Sequence, residues 1–330
     1  MLSGTLKTQL YKLYSLNLSF FRLLEKYRNR ICTFNDDIQG TASVAVAGIL
    51  AALKATNTKL SDHKFLFQGA GEAAIGIANL IVMALGKVEG MSKEEAKKKI
   101  WLKDSKGLIV QGRGNITEHK APYAHEHEHM TDLGEIVKTL KPTCLIGAAA
   151  IGGAFTKEII EDMATFNQHP IIFALSNPTH KAECTAEQAY EYSKGKCVFA
   201  SGSPFPSYTY QGQVFEPGQG NNAYIFPGVG LGVIIAGIHH ISEDVFLSAA
   251  EALANLVTDQ DLQVGRMYPP LSSLKECSIK IAIKVAEDGY KDGTASTYPK
   301  PEDIEAFIKD QLYDYNYDSY SSVPARYTWP

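Results

Sequence analysis

From about residue 60 onward, short apolar runs alternate with longer amphipathic stretches. Lys64 to Phe67 is a strand-length run that ends in Gly69-Ala70-Gly71. Ala73, Ile77, Leu80, Ile81 and Ala84 then recur at helical spacing between Glu72 and Leu85. Further strand-length runs are Ile100-Leu102 ending at Asp104, Cys144-Ile146, Ile171-Leu175 and Cys197-Ala200. Helical spacing separates them, as over Lys157 to Phe166 and Thr185 to Tyr192. The charged insert Glu89 to Lys99 predicts an extra helix. Short strands interleaved with helices predict an α/β fold, a parallel sheet wound on both faces. After Gly218-Gln219-Gly220-Asn221-Asn222 the pattern turns wholly helical, over Phe226 to Ile238, Asp244 to Val257 and Ser273 to Asp288. The Tyr- and Pro-rich tail from Thr294 predicts an extended arm.

In doubly wound sheets the ligand lies beyond the carboxyl ends of the strands. Here those ends are Gly69-Ala70-Gly71, Asp104-Ser105, Gly147-Ala148-Ala149, Ser176-Asn177-Pro178 and Ser201-Gly202-Ser203. Small and hydrogen-bonding residues there describe a crevice lined by backbone. Gly69-Ala70-Gly71-Glu72-Ala73-Ala74 fits Gly-x-Gly-x-x-Ala between a strand and a helix, the Rossmann-like signature for a dinucleotide pyrophosphate. The first glycine permits the turn, and the second permits close approach of the ligand. Ala74 permits helix-on-sheet packing, and the helix N-terminus supplies free N–H groups. Asp104 is placed for the adenine ribose, although its distance from Gly69 exceeds the usual ~20 residues. Ser105 and Lys120 would suit a ribose 2′-phosphate. By spacing alone the solvated-loop reading of such residues stands ahead.

Asp36 and Asp37 precede the apolar run Ala42 to Leu53. Asp36 with Gln39 has capping-box spacing. Two adjacent carboxylates after Asn35 also suit a divalent cation with oxygen ligands, and the two roles are compatible. Asn177, Asn221 and Asn222 serve turns as readily as they would bind a carboxylate or carboxamide. The run His125-Glu126-His127-Glu128-His129 is expected to be an exposed polar segment, since alternate residues of a helix do not converge on one ion.

Composition narrows the class. The 330 residues are 45% hydrophobic and 21% charged, which fits a soluble globular protein with one large or two smaller cores. The net charge of −4 sets up no field for nucleic acid or an anionic membrane. Five cysteines with no Cys-x-x-Cys pair fit a reducing compartment. No apolar run reaches membrane-spanning length, the nearest being Ile225 to Ile238. Residues 1 to 24 contain Lys7, Lys12 and Arg22 and no acid, so a mitochondrial presequence stands beside a divergent start.

The chain from Phe21 to Pro330 resembles the C-terminal part of the animal malic enzymes. The likeness rests on Phe34 to Ala42, Gly69 to Gly76, Phe173-Ala174-Leu175-Ser176-Asn177-Pro178-Thr179, Ala200 to Phe205 and Pro217 to Asn222. The resemblance implies oxidative decarboxylation of malate to pyruvate and CO2, with NADP favoured over NAD, and with Mg2+ or Mn2+. It implies Asp37 as a metal ligand and Asp36 as the neighbour of a catalytic lysine. It further implies Asn177 and Asn222 at substrate or nicotinamide, Asn221 close by, and Ser105 with Lys120 as marks of NADP preference. It places the dinucleotide-binding unit at 36–222 and a remnant of the substrate domain at 21–35 and 223–300. Residues 301–330 form an arm, and 1–20 are a divergent leader. Homo-oligomers are a family property, and a cytoplasmic location is expected, with mitochondria as the alternative.

The family's acid, base and two further metal ligands lie in an N-terminal region that has no counterpart before Phe21. The chain is therefore expected to be incomplete and inactive alone. The competing expectation is a non-catalytic dinucleotide-binding module that pairs with full-length subunits. An unrelated hydroxy-acid or amino-acid dehydrogenase would share only the cofactor fold. The Asp36-Asp37 context and the asparagine pair argue against it.

Overall fold

The computed structural model describes residues 11–12 and 20–313. Its centre is a seven-stranded sheet. In chain order the strands are β1 Phe65–Gln68, β2 Ile100–Asp104, β3 Gly107–Leu108, β4 Cys144–Gly147, β5 Ile171–Ala174, β6 Val198–Ser201 and β7 Gly218–Gln219. They lie in the order β7-β6-β5-β4-β1-β2-β3. Every pairing is parallel except the edge pair β2–β3, which is antiparallel. The chain leaves β1 on one side to form β2 and returns on the other to form β4. The switch point, where a crevice must open, therefore lies between β1 and β4.

Alternate residues of each strand enter two different cores. Phe65, Phe67, Cys144, Ile146, Ile171 and Phe173 face one core. Leu66, Leu145, Ile172 and Ala174 face the other. The second core is closed by the helices Leu133–Leu140, Lys157–Phe166 and Ala186–Tyr192. The first is closed by Thr41–Thr56, Glu72–Glu89, Phe226–Ala236, Glu243–Asn255 and Leu274–Lys291. Strands covered on both faces explain why they read as continuous apolar runs.

The helix Glu72–Glu89, labelled α1 here, carries the Gly-rich turn at its start. The expected extra helix is Lys93–Lys98, with Ser92 as its N-cap. Two expectations are revised. The stretch Asp36–Thr56 is long and apolar enough to span a membrane by length and composition, unlike the shorter run chosen from sequence. It is mostly buried and packs on the helices Glu72–Glu89 and Glu243–Asn255, as a core helix does. The expected extended arm is also partly helical. Ile304–Gln311 forms a helix because Asp303 caps it and Ile304 and Ile308 are buried on one side. Within the leader, Tyr11–Lys12 pairs in parallel with Thr33–Phe34. The rest of residues 1–20, and 314–330 of the arm, lie outside the described residues.

Candidate active site

Two clefts open at the carboxyl ends of the strands. The first, of ≈ 320 Å³, sits at the switch point. Gln68, Gly69, Ala70 and Gly71 form its floor, Asp104, Ser105 and Lys120 one wall, and Ala148, Ala149 and Ile151 the other. Gly69 has φ +129°, and a Cβ there would meet the Ala148 carbonyl oxygen at 2.6 Å. That glycine is required by the protein itself. Gly71 has an ordinary φ of −82°, and a Cβ there would meet no protein atom within 4 Å. Nothing in the fold demands a glycine at 71; a ligand lying against the backbone would. Glu72, Ala73 and Ala74 form the first turn of α1 and do not line the cleft. Glu72 accepts a hydrogen bond from the Phe21 N–H (3.2 Å), and Ala74 is fully buried. Within α1 the close packing falls at Gly76, where a Cβ would meet the Ile38 carbonyl oxygen at 2.9 Å.

Asp104 is surrounded by donors. Arg113 Nη2 donates to its Oδ2 at 2.6 Å, Lys120 Nζ to the same oxygen at 2.9 Å, and the Lys106 N–H to Oδ1 at 2.9 Å. Burial alone would raise this carboxyl, but the hydrogen bonds from Arg113, Lys120 and Lys106 outweigh it and hold the pKa at about 2. One carboxylate between two cations leaves the corner with a net positive charge. Arg113 was not singled out from sequence. Its signal, an arginine between two glycines just past a predicted strand end, marks a turn more often than a site. Its Nη1 also donates to the Gly107 and Leu108 carbonyls, at 2.8 and 3.0 Å, which pins the loop.

The second cleft, of ≈ 240 Å³, is lined by Asp37, Thr41, Val44, Leu175, Asn177, Gly202, Gly220, Asn221 and Asn222. Residues some 185 positions apart thus share one wall. Asp37 is exposed and Asp36 is buried. The capping reading of Asp36 with Gln39 is corrected. Asn35 is the cap of the wide π-type turn Asp36–Gly40: its Oδ1 accepts from the Ile38 N–H at 2.9 Å. Gln39 Oε1 in turn accepts from the Asn35 N–H at 3.0 Å. The wide turn shifts the reciprocal bond by one residue and leaves Asp37 facing the cleft. Asn222 Nδ2 donates to the Asp36 carbonyl (3.0 Å) and to Thr41 Oγ1 (3.1 Å). Asn221 Oδ1 accepts from the Ala223 N–H at 2.9 Å, a turn role. Asn177 is exposed at the cleft.

Among the described residues, no group of three or more His, Cys, Asp or Glu side chains is placed to hold a metal ion. The carboxylates at this cleft therefore do not by themselves form a metal site. The His125 to His129 run is an irregular segment rather than a helix, with a parallel bridge from His125 to Val110. His125 departs from the expected exposure: its ring stacks on Trp101 at 3.8 Å and bonds the Ile100 carbonyl at 2.6 Å. Glu126, Glu128 and His129 are exposed.

A mostly parallel sheet with a glycine cradle at its switch point and an acid at the next strand end defines a dinucleotide-binding α/β protein. Residues 38–290 match the malic enzyme NAD binding domain, and the chain belongs to the malic enzyme family. It is 62% identical over 315 residues to the NADP-dependent malic enzyme of Anas platyrhynchos, covering 95% of this chain and 56% of that protein. Identity and coverage are the same for the Columba livia enzyme. The crystal structure of the Entamoeba histolytica malic enzyme superposes with a TM-score of 0.71 at 26% identity, over 88% of this chain and 56% of that one. The chain thus spans little more than half the length of these relatives.

Proposed function

We propose that this chain binds NADP in the switch-point crevice and forms the cofactor half of a malate-oxidising, decarboxylating site. The observation that carries the reading is Gly71, a glycine that only a close-lying ligand requires. The net positive corner of Asp104, Arg113 and Lys120 supports NADP over NAD, because a 2′-phosphate would enter where two cations already stand. The relatives named NADP-dependent malic enzymes support it further. When bound, the nicotinamide supplies a hydride acceptor for the carbon bearing the malate hydroxyl.

In this reading Gly69 to Gly71 and the N-terminus of α1 hold the pyrophosphate, and Lys120 and Ser105 hold the 2′-phosphate. Asn177 and Asn222 orient the nicotinamide or the substrate carboxylate, with Asn221 shaping the loop beside them. Asp37 turns its carboxylate toward the same cleft, where a divalent cation such as Mg2+ or Mn2+ would draw its remaining ligands from substrate, water or other polypeptide. Asp36 stands behind it. No His, Lys, Arg or Tyr lines this cleft among the described residues. Proton transfer to and from malate therefore needs groups from elsewhere, and the chain alone does not turn malate over.

Calorimetric titration with NADPH and then NADH tests the reading. Tight NADPH and weaker NADH are expected, and Lys120→Ala should erase the difference. Absence of binding by either would overturn it. Malate-dependent NADPH production by the pure chain would overturn the claim of inactivity.

A further inference from the structure

We propose that Glu183 is a positioning residue: with Ser176 it locks the loops after β4 and β5 together, and so joins the dinucleotide crevice to the second cleft. The inference rests on the dinucleotide reading of the crevice. Glu183 follows the turn Thr179–Lys181 and is fully buried. Its Oε1 accepts from Ser176 Oγ at 2.5 Å and from the Ala149 N–H at 3.5 Å. Its Oε2 accepts from the Ser176 N–H at 3.3 Å. Ser176 Oγ accepts in turn from the Ala150 N–H at 2.9 Å. The chain of bonds extends to β6, because Ser203 Oγ donates to the Ser176 carbonyl at 3.3 Å. One carboxylate and the Ser176 hydroxyl tie together the loops after β4 and β5, and the Ser203 hydroxyl adds the loop after β6.

Those loops are the cleft walls. Ala148, Ala149 and Ile151 line the crevice, while Leu175, Asn177 and Gly202 line the second cleft. The first loop needs holding, since Ala150 adopts a left-handed φ of +54°, a backbone conformation unfavourable for a residue with a Cβ. Gly147 fits the same arrangement, because a Cβ there would collide with the Glu183 carboxyl group. Glu183 therefore occupies the space directly above the end of β4.

The chemistry specifies a carboxylate rather than any polar group. Both oxygens accept, and each faces at least one donor. A glutamine of the same shape would turn an NH2 toward a donor. Burial pushes the Glu183 carboxyl above its ordinary range, opposed by the Ser176 and Ala149 hydrogen bonds. A buried acid retained at that cost has a specific arrangement to hold.

The test compares the full chain with Glu183→Gln, Ser176→Ala and Ser176→Thr. Backbone amide exchange is read without ligand, and affinity is read for NADPH and for 2′,5′-ADP, which fills only the adenosine side. In Glu183→Gln and Ser176→Ala, the amides of Ala149, Ala150 and Ser176 should exchange at least about tenfold faster, the size expected for one buried charge-assisted bond. Protection of β1 and β4 should be unchanged. NADPH should weaken about tenfold and 2′,5′-ADP by less than about threefold, since Lys120 and Asp104 are anchored independently. Ser176→Thr, which keeps the hydroxyl, should restore both readouts. Unchanged exchange at the three amides overturns the proposal. So does an equal loss for both ligands with protection lost throughout the sheet, which marks a merely structural role. If the parent chain binds neither ligand, the dinucleotide reading fails, and the three amides still decide whether Glu183 holds the loops.

Discussion

The two clefts share one edge of one sheet and differ in how they are made. The floor of the switch-point crevice is one contiguous turn, Gln68 to Gly71, and its walls come from the next strand ends, Asp104 with Ser105 and Ala148 to Ile151, all within 68–151. Its charges are already answered within the protein, with Asp104 held by Arg113, Lys120 and the Lys106 N–H. The cleft at Asp37 is assembled from four distant segments that meet only in the fold. Asn222 closes it by bonding to the Asp36 carbonyl and Thr41, while Asp37 and Asn177 remain exposed to it. A floor made of one local turn stands ready once its strand and helix form. A site made of remote loops depends on every contact that holds those loops in register.

Substitutions at the two glycines of the cradle should split most sharply. Gly71→Val should weaken NADPH by roughly a hundredfold, equivalent to ~2.8 kcal/mol of binding, with little change in thermal stability. The new Cβ would enter the space where the pyrophosphate lies and meet no protein atom within 4 Å. Titration calorimetry beside a melting curve checks this, and a large fall in melting temperature would show that the cradle serves the fold instead. Gly69→Ala should do the reverse in part. Its φ of +129° and the nearby Ala148 carbonyl predict a stability loss of about 1–3 kcal/mol, read by urea unfolding.

A smaller effect is expected at the second cleft. Asn222→Ala removes two hydrogen bonds between the Asn222 loop and the start of the core helix. A loss of about 1 kcal/mol in unfolding free energy should follow. Affinity for 2′,5′-ADP, which fills only the adenosine side, should stay within about threefold, because Asn222 does not line the crevice. A loss of 2′,5′-ADP affinity as large as the NADPH loss of Gly71→Val would erase the distinction between the two clefts.

The smallest effect is electrostatic. The Asp104 carboxyl falls from an ordinary 3.8 to about 2 on folding, so its ion pairs contribute stability that is complete above pH 4. That contribution is lost as pH falls from about 4 through about 2. In Asp104→Asn, acid unfolding should lose this component of its pH dependence. An acid-unfolding profile unchanged by the substitution would mean that Arg113 and Lys120 do not hold the carboxylate in solution.

Sequence exposed the crevice well, because a short apolar run and a helical pattern bracket a turn whose glycines are diagnostic in that context. It placed the strand ends to within a residue or two, from Asp104 to Ser201. It did not expose Arg113, whose neighbours signal only a turn. Nor could it show that Asn35, not Asp36, caps the π-type turn, since that depends on one extra residue in the hydrogen-bonded ring. Asn221 and Asn222 looked alike in sequence. The fold assigns one to a local turn and the other to a bond across the cleft.

The residue order alone determined a doubly wound sheet, its dinucleotide turn and its family resemblance, because those features are written in local spacing and in the alternation of apolar positions. The tertiary structure decided the rest. It brought Asp37, Asn177 and Asn222 to one cleft, surrounded Asp104 with cations, and set the buried Glu183 carboxylate between the loops after β4 and β5. Such contacts join residues remote in the chain, and nothing in a local pattern encodes which of them will meet.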